Sequence, residues 1–294
     1  MKNKRLKITE FENSLMLNNR TYYQYVERLT ELAISRIIWH NLPKTVDERY
    51  LELHLFTDGQ MIYFNDDVIG NLCLNCTMSG RFDVYGYPIL RRAYSAYNNY
   101  KKMLKPDNSV IIFNNLMRTN SILDVKMFAL RLYNLDRTID INVNAQKTPV
   151  LIMCDENERL TMQNLYKQWE GNEPVIFGDK NLNVKGVQVL KTDAPYVADK
   201  LYELKCNIWN EALTYLGISN IIVNKKERMI TDEVERNQGG VLANRFPYLN
   251  PREKAVIDIN EMFGTDLSVE FREDWSGFDL SMPNVDVKVG DDNG

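Results

Sequence analysis

Between Ser121 and Asp232, two long amphipathic helical patterns bracket a compact β-rich insert, and this arrangement constrains the fold more than any other feature. In the first pattern Val125, Phe128, Leu132, Leu135 and Ile139 step by three and four, while Lys126, Arg131, Asp136 and Arg137 point elsewhere. Ser121 stands where an N-cap belongs. The second pattern runs from Pro195 to Leu216, with Val197, Leu201, Leu204, Ile208, Ala212 and Tyr215 as its seam. Asp193 is placed to cap it, Pro195 suits a first turn whose N–H groups have no partner, and Gly217 can end it in the left-handed conformation. At about 1.5 Å per residue this helix measures roughly 33 Å, close to one turn of duplex DNA at about 3.4 Å per base pair. The insert reads as strand (149–154), helix (161–169), strand (174–177) and strand (186–190), and the second helix runs on into Lys225-Lys226-Glu227-Arg228. A helix pair that carries its own small module, with no catalytic motif nearby, points to a structural part before an enzyme.

The flanks are mixed. Tyr22, Val26, Leu29, Ala33, Ile37 and Ile38 recur at helical spacing up to Trp39, and a short helix fits between Asp47 and Gly59. Strands are predicted at 61–64, 68–78 and 110–113, with 81–97 as extended hairpin material. From Thr231 to Leu249 no period is visible, and Gly239, Gly240 and Pro247 suggest a long loop; such loops are functional more often than idle. Asn250-Pro251-Arg252-Glu253 then reads as a helix start with Gly264 as its stop, and Leu267, Val269 and Phe271 alternate as in a half-buried strand. The whole predicts an α+β chain.

Charge excludes a basic DNA clamp. With 36 Lys and Arg against 40 Asp and Glu the net charge is -4, and an all-over phosphate grip needs a positive excess. Lys2, Lys4, Arg5 and Lys7 make a basic start, and the acidic last twenty residues read as a mobile tail. No apolar run is long enough for a membrane span or a signal h-region, which predicts a soluble, unprocessed chain with no membrane partner. Four cysteines without a framework predict reduced thiols, and Cys73 and Cys76, spaced C-x-x-C inside a predicted strand, read as core residues rather than a zinc or redox pair.

Catalytic signals are sparse. Only His40 and His54 are present, so a histidine triad or a His-rich metal site is not expected, and His40 reads as a capping or packing residue. Neither a phosphate-binding Walker loop nor a G-x-G-x-x-G after a strand occurs, and no third carboxylate accompanies Asp232-Glu233 or Glu273-Asp274 to hold Mg²⁺. No cofactor is implied. Lys191, just before the second helix, and Lys200, in its second turn, sit where the helix dipole disfavours a cation; each either serves a polyanion or pairs with Asp199 or Glu203.

Several strings carry a specific resemblance: NVNAQKTPVLI (142–152), GNEPVIF (171–177), KTDAPYV (191–197), WNE (209–211), KKERM (225–229) and TDEV (231–234). They closely resemble the upper collar, or head-tail connector, of small picovirus-type podoviruses, the short-tailed phages with protein-primed linear genomes. Weaker echoes at NLP (41–43), SG (79–80), DVY (83–85), INE (259–261) and Gly264 extend the match over most of the chain. The resemblance implies a portal-type fold: residues 1–118 a wing with a basic arm, 119–146 and 193–228 stem helices, 147–192 a clip, 229–249 a tunnel loop, 250–273 a wing helix and strand, and 274–294 an acidic tail.

It further implies a non-enzymatic ring, usually a dodecamer, at the capsid's unique vertex, through which double-stranded DNA is packaged and ejected. Lys191 and Lys200 match lysines facing the channel; Arg236, Gly239, Gly240, Arg245 and Phe246 fall in the tunnel loop; Lys2, Lys4 and Arg5 look like the arm linked to packaging RNA and motor. Partners implied are the major capsid protein, a scaffolding protein, the lower collar or tail protein, the packaging ATPase and packaging RNA. Competing readings are a Mg²⁺-dependent nuclease, a packaging ATPase subunit, or a monomeric DNA-binding adaptor.

Overall fold

The computed structural model describes residues 10–146, 150–152, 187–189, 195–219 and 231–283 apart from 276 and 279. The chain divides into two units, one formed by Met1–Asn134 with Lys205–Gly294 and the other by Leu135–Leu204.

The first unit is organised around a five-stranded antiparallel sheet in the order β5-β4-β3-β2-β6, formed by β2 (Gln60–Asp66), β3 (Gly70–Phe82), β4 (Pro88–Tyr94), β5 (Lys101–Leu104) and β6 (Ser109–Phe113). Helix α1 (Glu10–Ser35) leads into strand β1 (Ile37–His40), and α2 (Glu48–Asp58) precedes the sheet. Asp47 caps α2 by accepting the Tyr50 N–H at 2.6 Å, and Gly59, at φ 88°, ends it as its spacing foretold. One face of the sheet, carrying Met61, Tyr63, Cys73, Val110 and Ile112, packs against Leu51 and Leu55 of α2 and against Ala255, Val256 and Ile259 of the long C-terminal helix. The opposite face gathers Ile62, Phe64, Cys76, Ala93 and Leu104 into a smaller cluster.

Burial keeps the C-x-x-C thiols protonated: it pushes Cys73 far up and Cys76 up to about 11. Thiolate is the reactive form, so in a Cys154→Ser background at about pH 8 the folded protein should label with an aromatic disulfide reagent at half-buried Cys206 and not at these two. Rapid labelling of every remaining thiol would contradict the core assignment.

Two boundaries differ from expectation. Ile37, Ile38 and Trp39 do not extend the first helix. They form β1, alternately buried, and pair antiparallel with β9 (Ser268–Phe271), Ile37 opposite Phe271 and Trp39 opposite Val269. The spacing of two bulky β-branched residues and an indole fits both periods over so short a run, and the strand at 268–271 supplies the partner that decides it. His40 is therefore a strand residue, its Nε2 2.9 Å from Glu270 Oε1.

The second difference is larger. The segment expected as a tunnel loop is helical, and α5 runs unbroken from Thr231 to Phe263 through Pro247 and Pro251. Asn250 is thus no cap and Pro251 no first-turn residue, although Gly264, at φ 64°, does stop the helix. A mid-helix proline removes an N–H and leaves the carbonyl four residues earlier without its donor. That carbonyl, Pro247 O, instead accepts the Leu116 N–H at 3.1 Å.

A buried polar knot sits where these elements meet. Arg252, fully buried, grips Glu52 with two nitrogens at 2.9 and 2.8 Å, and its third donates to the carbonyls of Asn114 at 2.7 Å and Tyr248 at 2.8 Å. Glu52 also accepts the Trp39 indole N–H at 2.8 Å. α2, β1 and α5 thereby share one carboxylate.

In the second unit β7 (Val150–Ile152) pairs antiparallel with β8 (Val187–Val189), Leu151 opposite Gln188, at the positions expected for the outer strands of the insert. The helix and strand expected at 161–169 and 174–177 lie outside the described residues.

Candidate nucleic-acid interface

The two helices expected to form a stem are α3 (Ile122–Ala145) and α4 (Ala198–Tyr215), and each passes through both units. Ser121 does hold the N-cap position of α3, its carbonyl accepting the Val125 N–H at 3.2 Å. Its hydroxyl is occupied otherwise, accepting from Asn114 Nδ2 at 2.8 Å. The inner seam of α3 is buried at Val125, Phe128, Ala129 and Leu132.

α4 begins three residues later than the proline suggested, and Asp193 lies outside the described residues. Its entry is held from α3: Asn142 Oδ1 accepts the Val197 N–H at 3.0 Å while Asn142 Nδ2 donates to Pro195 O at 2.9 Å. The seam of α4 keeps Ile208 and Ala212 buried as expected but departs at Leu204. Leu204 is exposed, and Lys205 is buried in its place with its ammonium 5.8 Å from the Tyr25 ring centroid.

The C-terminal end of α4 is tied by several side chains. Gly217, at φ 75°, closes the helix with its own N–H on Thr214 O at 3.0 Å and the Ile218 N–H on Leu213 O at 2.9 Å. Three side chains then take its last carbonyls: Asn244 donates to Thr214 O at 2.9 Å, Arg36 to Leu216 O at 3.3 Å and Arg245 to Gly217 O at 2.9 Å. Two cations at the negative end of a helix dipole are well placed. Arg36 sits over the Tyr248 ring, its Cζ 3.7 Å from the centroid, and Tyr215 donates to Asp124 at 2.7 Å, back on the first turn of α3. Burial, with that carboxylate beside it, holds the Tyr215 phenol well above its ordinary range.

These contacts reassign one expected site residue. Arg245 is buried, ion-paired with Glu273 and set 4.7 Å from the Phe271 ring centroid, so it caps α4 and cannot meet DNA. Gly239, Gly240 and Phe246 are exposed on α5 rather than in a loop, and the side chain of Arg236 lies outside the described residues. Lys200 is exposed on α4 and forms no ion pair with Asp199 or Glu203; Asp199 accepts the Tyr196 hydroxyl at 3.3 Å instead. Lys191 and the arm residues Lys2, Lys4 and Arg5 lie outside the described residues.

Among the described residues Glu273 is taken by Arg245, and no group of three His, Cys, Asp or Glu comes together to hold a metal ion. No described helix is long and apolar enough to cross a membrane.

Comparison with solved structures places this architecture. The fold is similar to a chain in the portal and tail of native bacteriophage P68, at 16% identity and a TM-score of 0.51, covering 93% of each chain. A more distant similarity is to an HK97-family phage portal protein from Corynebacterium diphtheriae, at 11% identity and a TM-score of 0.39, covering 90% of this chain and 96% of that one. Residues 4–276 match the family described as Phage Connector (GP10), and the chain belongs to that family.

Proposed function

We propose that copies of this connector close into a ring of twelve at the head–tail junction of a phage virion and pass double-stranded DNA in both packaging and ejection. The family is structural rather than enzymatic, which speaks against the nuclease and ATPase readings. The observation that carries the ring is the two-sided character of α3. Besides its buried seam the helix exposes Leu123, Met127 and Leu130, spaced i, i+4, i+7 and 65%, 52% and 49% accessible. A single copy has no use for a second apolar stripe, whereas a neighbouring copy covers it. Electron microscopy of the purified protein, with its mass in solution, is the test: rings with a central hole support the reading, and a stable monomer at micromolar concentration returns the chain to the adaptor reading.

In this reading α3 and α4 line the channel, residues 147–192 form the clip, and the capsid, scaffolding and tail proteins and the packaging motor with its RNA dock around it, the arm at Lys2, Lys4 and Arg5 serving the motor. A conduit must let DNA slide. Helices without a positive excess hold the duplex loosely, and rings of Lys191 and Lys200 add weak, sequence-blind phosphate contacts. Among the described residues Lys200 has no ion-pair partner, which suits that role. Replacing both lysines with Ala should leave ring assembly unchanged and reduce retention of packaged DNA by roughly tenfold, since each contact recurs around the ring. Unchanged retention in the double variant retires the assignment.

A further inference from the structure

The strand order of the first unit's sheet ends at β5 and β6, yet the sheet brings these two ends back towards each other. A four-residue turn (105–108) joins them, Arg91 of β4 donates to the Ser109 carbonyl of β6, and the Tyr87 and Phe113 ring centroids are 6.0 Å apart. In a flat sheet β4 and β6 would stand three strand spacings, about 14 Å, apart. The sheet therefore curls towards a barrel but stays open along the outer edge of β6.

That edge is unsatisfied. The Asn114 N–H bonds Gly59 O at 2.9 Å and so continues the β2–β6 ladder, which by antiparallel alternation makes Met61–Ile112 and Tyr63–Val110 the hydrogen-bonded pairs. The N–H and C=O groups of Ser109, Ile111 and Phe113 then point away from β2. Arg91 takes the Ser109 carbonyl, but among the described residues nothing bonds the outward groups of Ile111 and Phe113, although each residue is only 7% exposed. Buried backbone groups without partners are rare, and a row of them on a strand edge is a template for a further strand. A groove runs along this edge: two adjoining cavities, about 420 and 210 Å³, share Tyr87, Ile111 and Asp258. α5 forms one wall, with Lys254 at the Phe113 end, Asp258 in the middle and Glu261 at the Ser109 end. All three are exposed, and among the described residues none forms an ion pair.

We propose that the groove takes this chain's own residues 285–289 as a further strand, antiparallel to β6. Within the acidic end of the chain, Val285-Asp286-Val287-Lys288-Val289 alternates strictly, as a half-buried strand does, and it matches the five residues of β6 in length. Main-chain bonds to Ile111 and Phe113 supply the affinity, as in other cases of strand addition to a sheet edge. Charge sets the direction. Run antiparallel, the segment enters at the Phe113 end, which brings Asp286 beside Lys254 and Lys288 beside Asp258 and Glu261; run parallel, like charges would meet. With Asp286 and Lys288 turned to α5, alternation leaves the three valines on the face of Ile111 and Phe113, next to Tyr87.

The test is amide hydrogen exchange on the full-length protein, resolved at single amides by mass spectrometry, with the Ile112 amide, bonded to β2, as internal reference. In wild type the Ile111 and Phe113 amides should exchange at least about tenfold more slowly than in Val287→Pro, which breaks the added strand, while Ile112 stays unchanged. Lys288→Glu should release the same two amides. Adding Asp258→Lys and Glu261→Lys to that variant should restore their protection, because the groove then meets the new carboxylate with cations. Equal exchange of the two amides in wild type and Val287→Pro overturns the proposal: fast in both, the edge stands open; slow in both, some other segment or protein covers it. Failure of the charge rescue overturns the antiparallel placement. None of these readouts depends on ring formation, so the ring reading stands or falls separately.

Discussion

Replacing Arg252 with Met should destabilise the folded chain by about 3–5 kcal/mol, seen as a lower urea midpoint at unchanged slope. The side chains of Arg252 and Glu52 are 1% and 2% exposed, and their two contacts at 2.9 and 2.8 Å leave the carboxylate almost wholly dependent on the guanidinium. Methionine fills similar space but strands a buried charge, and it deprives the carbonyls of Asn114 and Tyr248 of a donor. Removing both charges, as Glu52→Leu with Arg252→Met, should recover part of the loss. Recovery is incomplete because the Trp39 indole N–H then has no acceptor. A single-variant loss under about 1 kcal/mol would mean that water reaches the pair and that the knot is not closed.

Gly217→Ala should cost about 2–4 kcal/mol, from two separable sources. At φ 75° a side chain pays about 1–2 kcal/mol for the left-handed conformation. The new Cβ would also stand 2.9 Å from Arg245 Cγ and from Phe271 Cζ, both packed inside the cap of α4, which adds about 1–3 kcal/mol. Asparagine tolerates the backbone better but carries the same Cβ, so Gly217→Asn should lie between wild type and Gly217→Ala. As a contrast, Gly240→Ala, whose Cβ meets nothing nearer than Thr214 Cγ2 at 3.9 Å, should raise stability by about 0.5–1 kcal/mol. Equal losses at both glycines would show that α4 does not end as described.

Elements with an uncomplicated period were legible from the residues: α2 between its Asp47 cap and Gly59, the seam of α3 through Leu132, and strands β2, β3 and β6, whereas β4 was seen only as extended material and the short β5 was missed. α5 was hidden for a physical reason. Its buried positions Val241, Arg245, Tyr248 and Arg252 do keep helical spacing, but two of the four are arginines, which any count of apolar residues scores as solvent-facing. Counting the aliphatic stem of arginine as burial would have revealed the period, despite the glycine pair and two prolines. Leu204 and Lys205 exchanged roles for the same reason. The capping of α4 by Arg36 and Arg245 joins residues 180 and 28 positions away from their acceptors, and nothing in local sequence marks such a pairing. Conversely, the family resemblance named strings such as NVNAQK long before geometry showed one use for them, Asn142 holding the entry to α4.

Pro251 has a meaning beyond the break it failed to make. A helix is chemically silent along its flank because every interior donor is matched to an acceptor within the rod. Deleting the N–H at residue 251 leaves the Pro247 oxygen unmatched within the rod, an address that can be read only from outside. The Leu116 N–H reads it at 3.1 Å, and so the turn between β6 and α3 is moored to a chosen height on the helix. An alanine at 251 would make a more regular helix and erase the mooring. Here an irregular residue specifies position, as a missing tooth on a gear fixes where two wheels must meet.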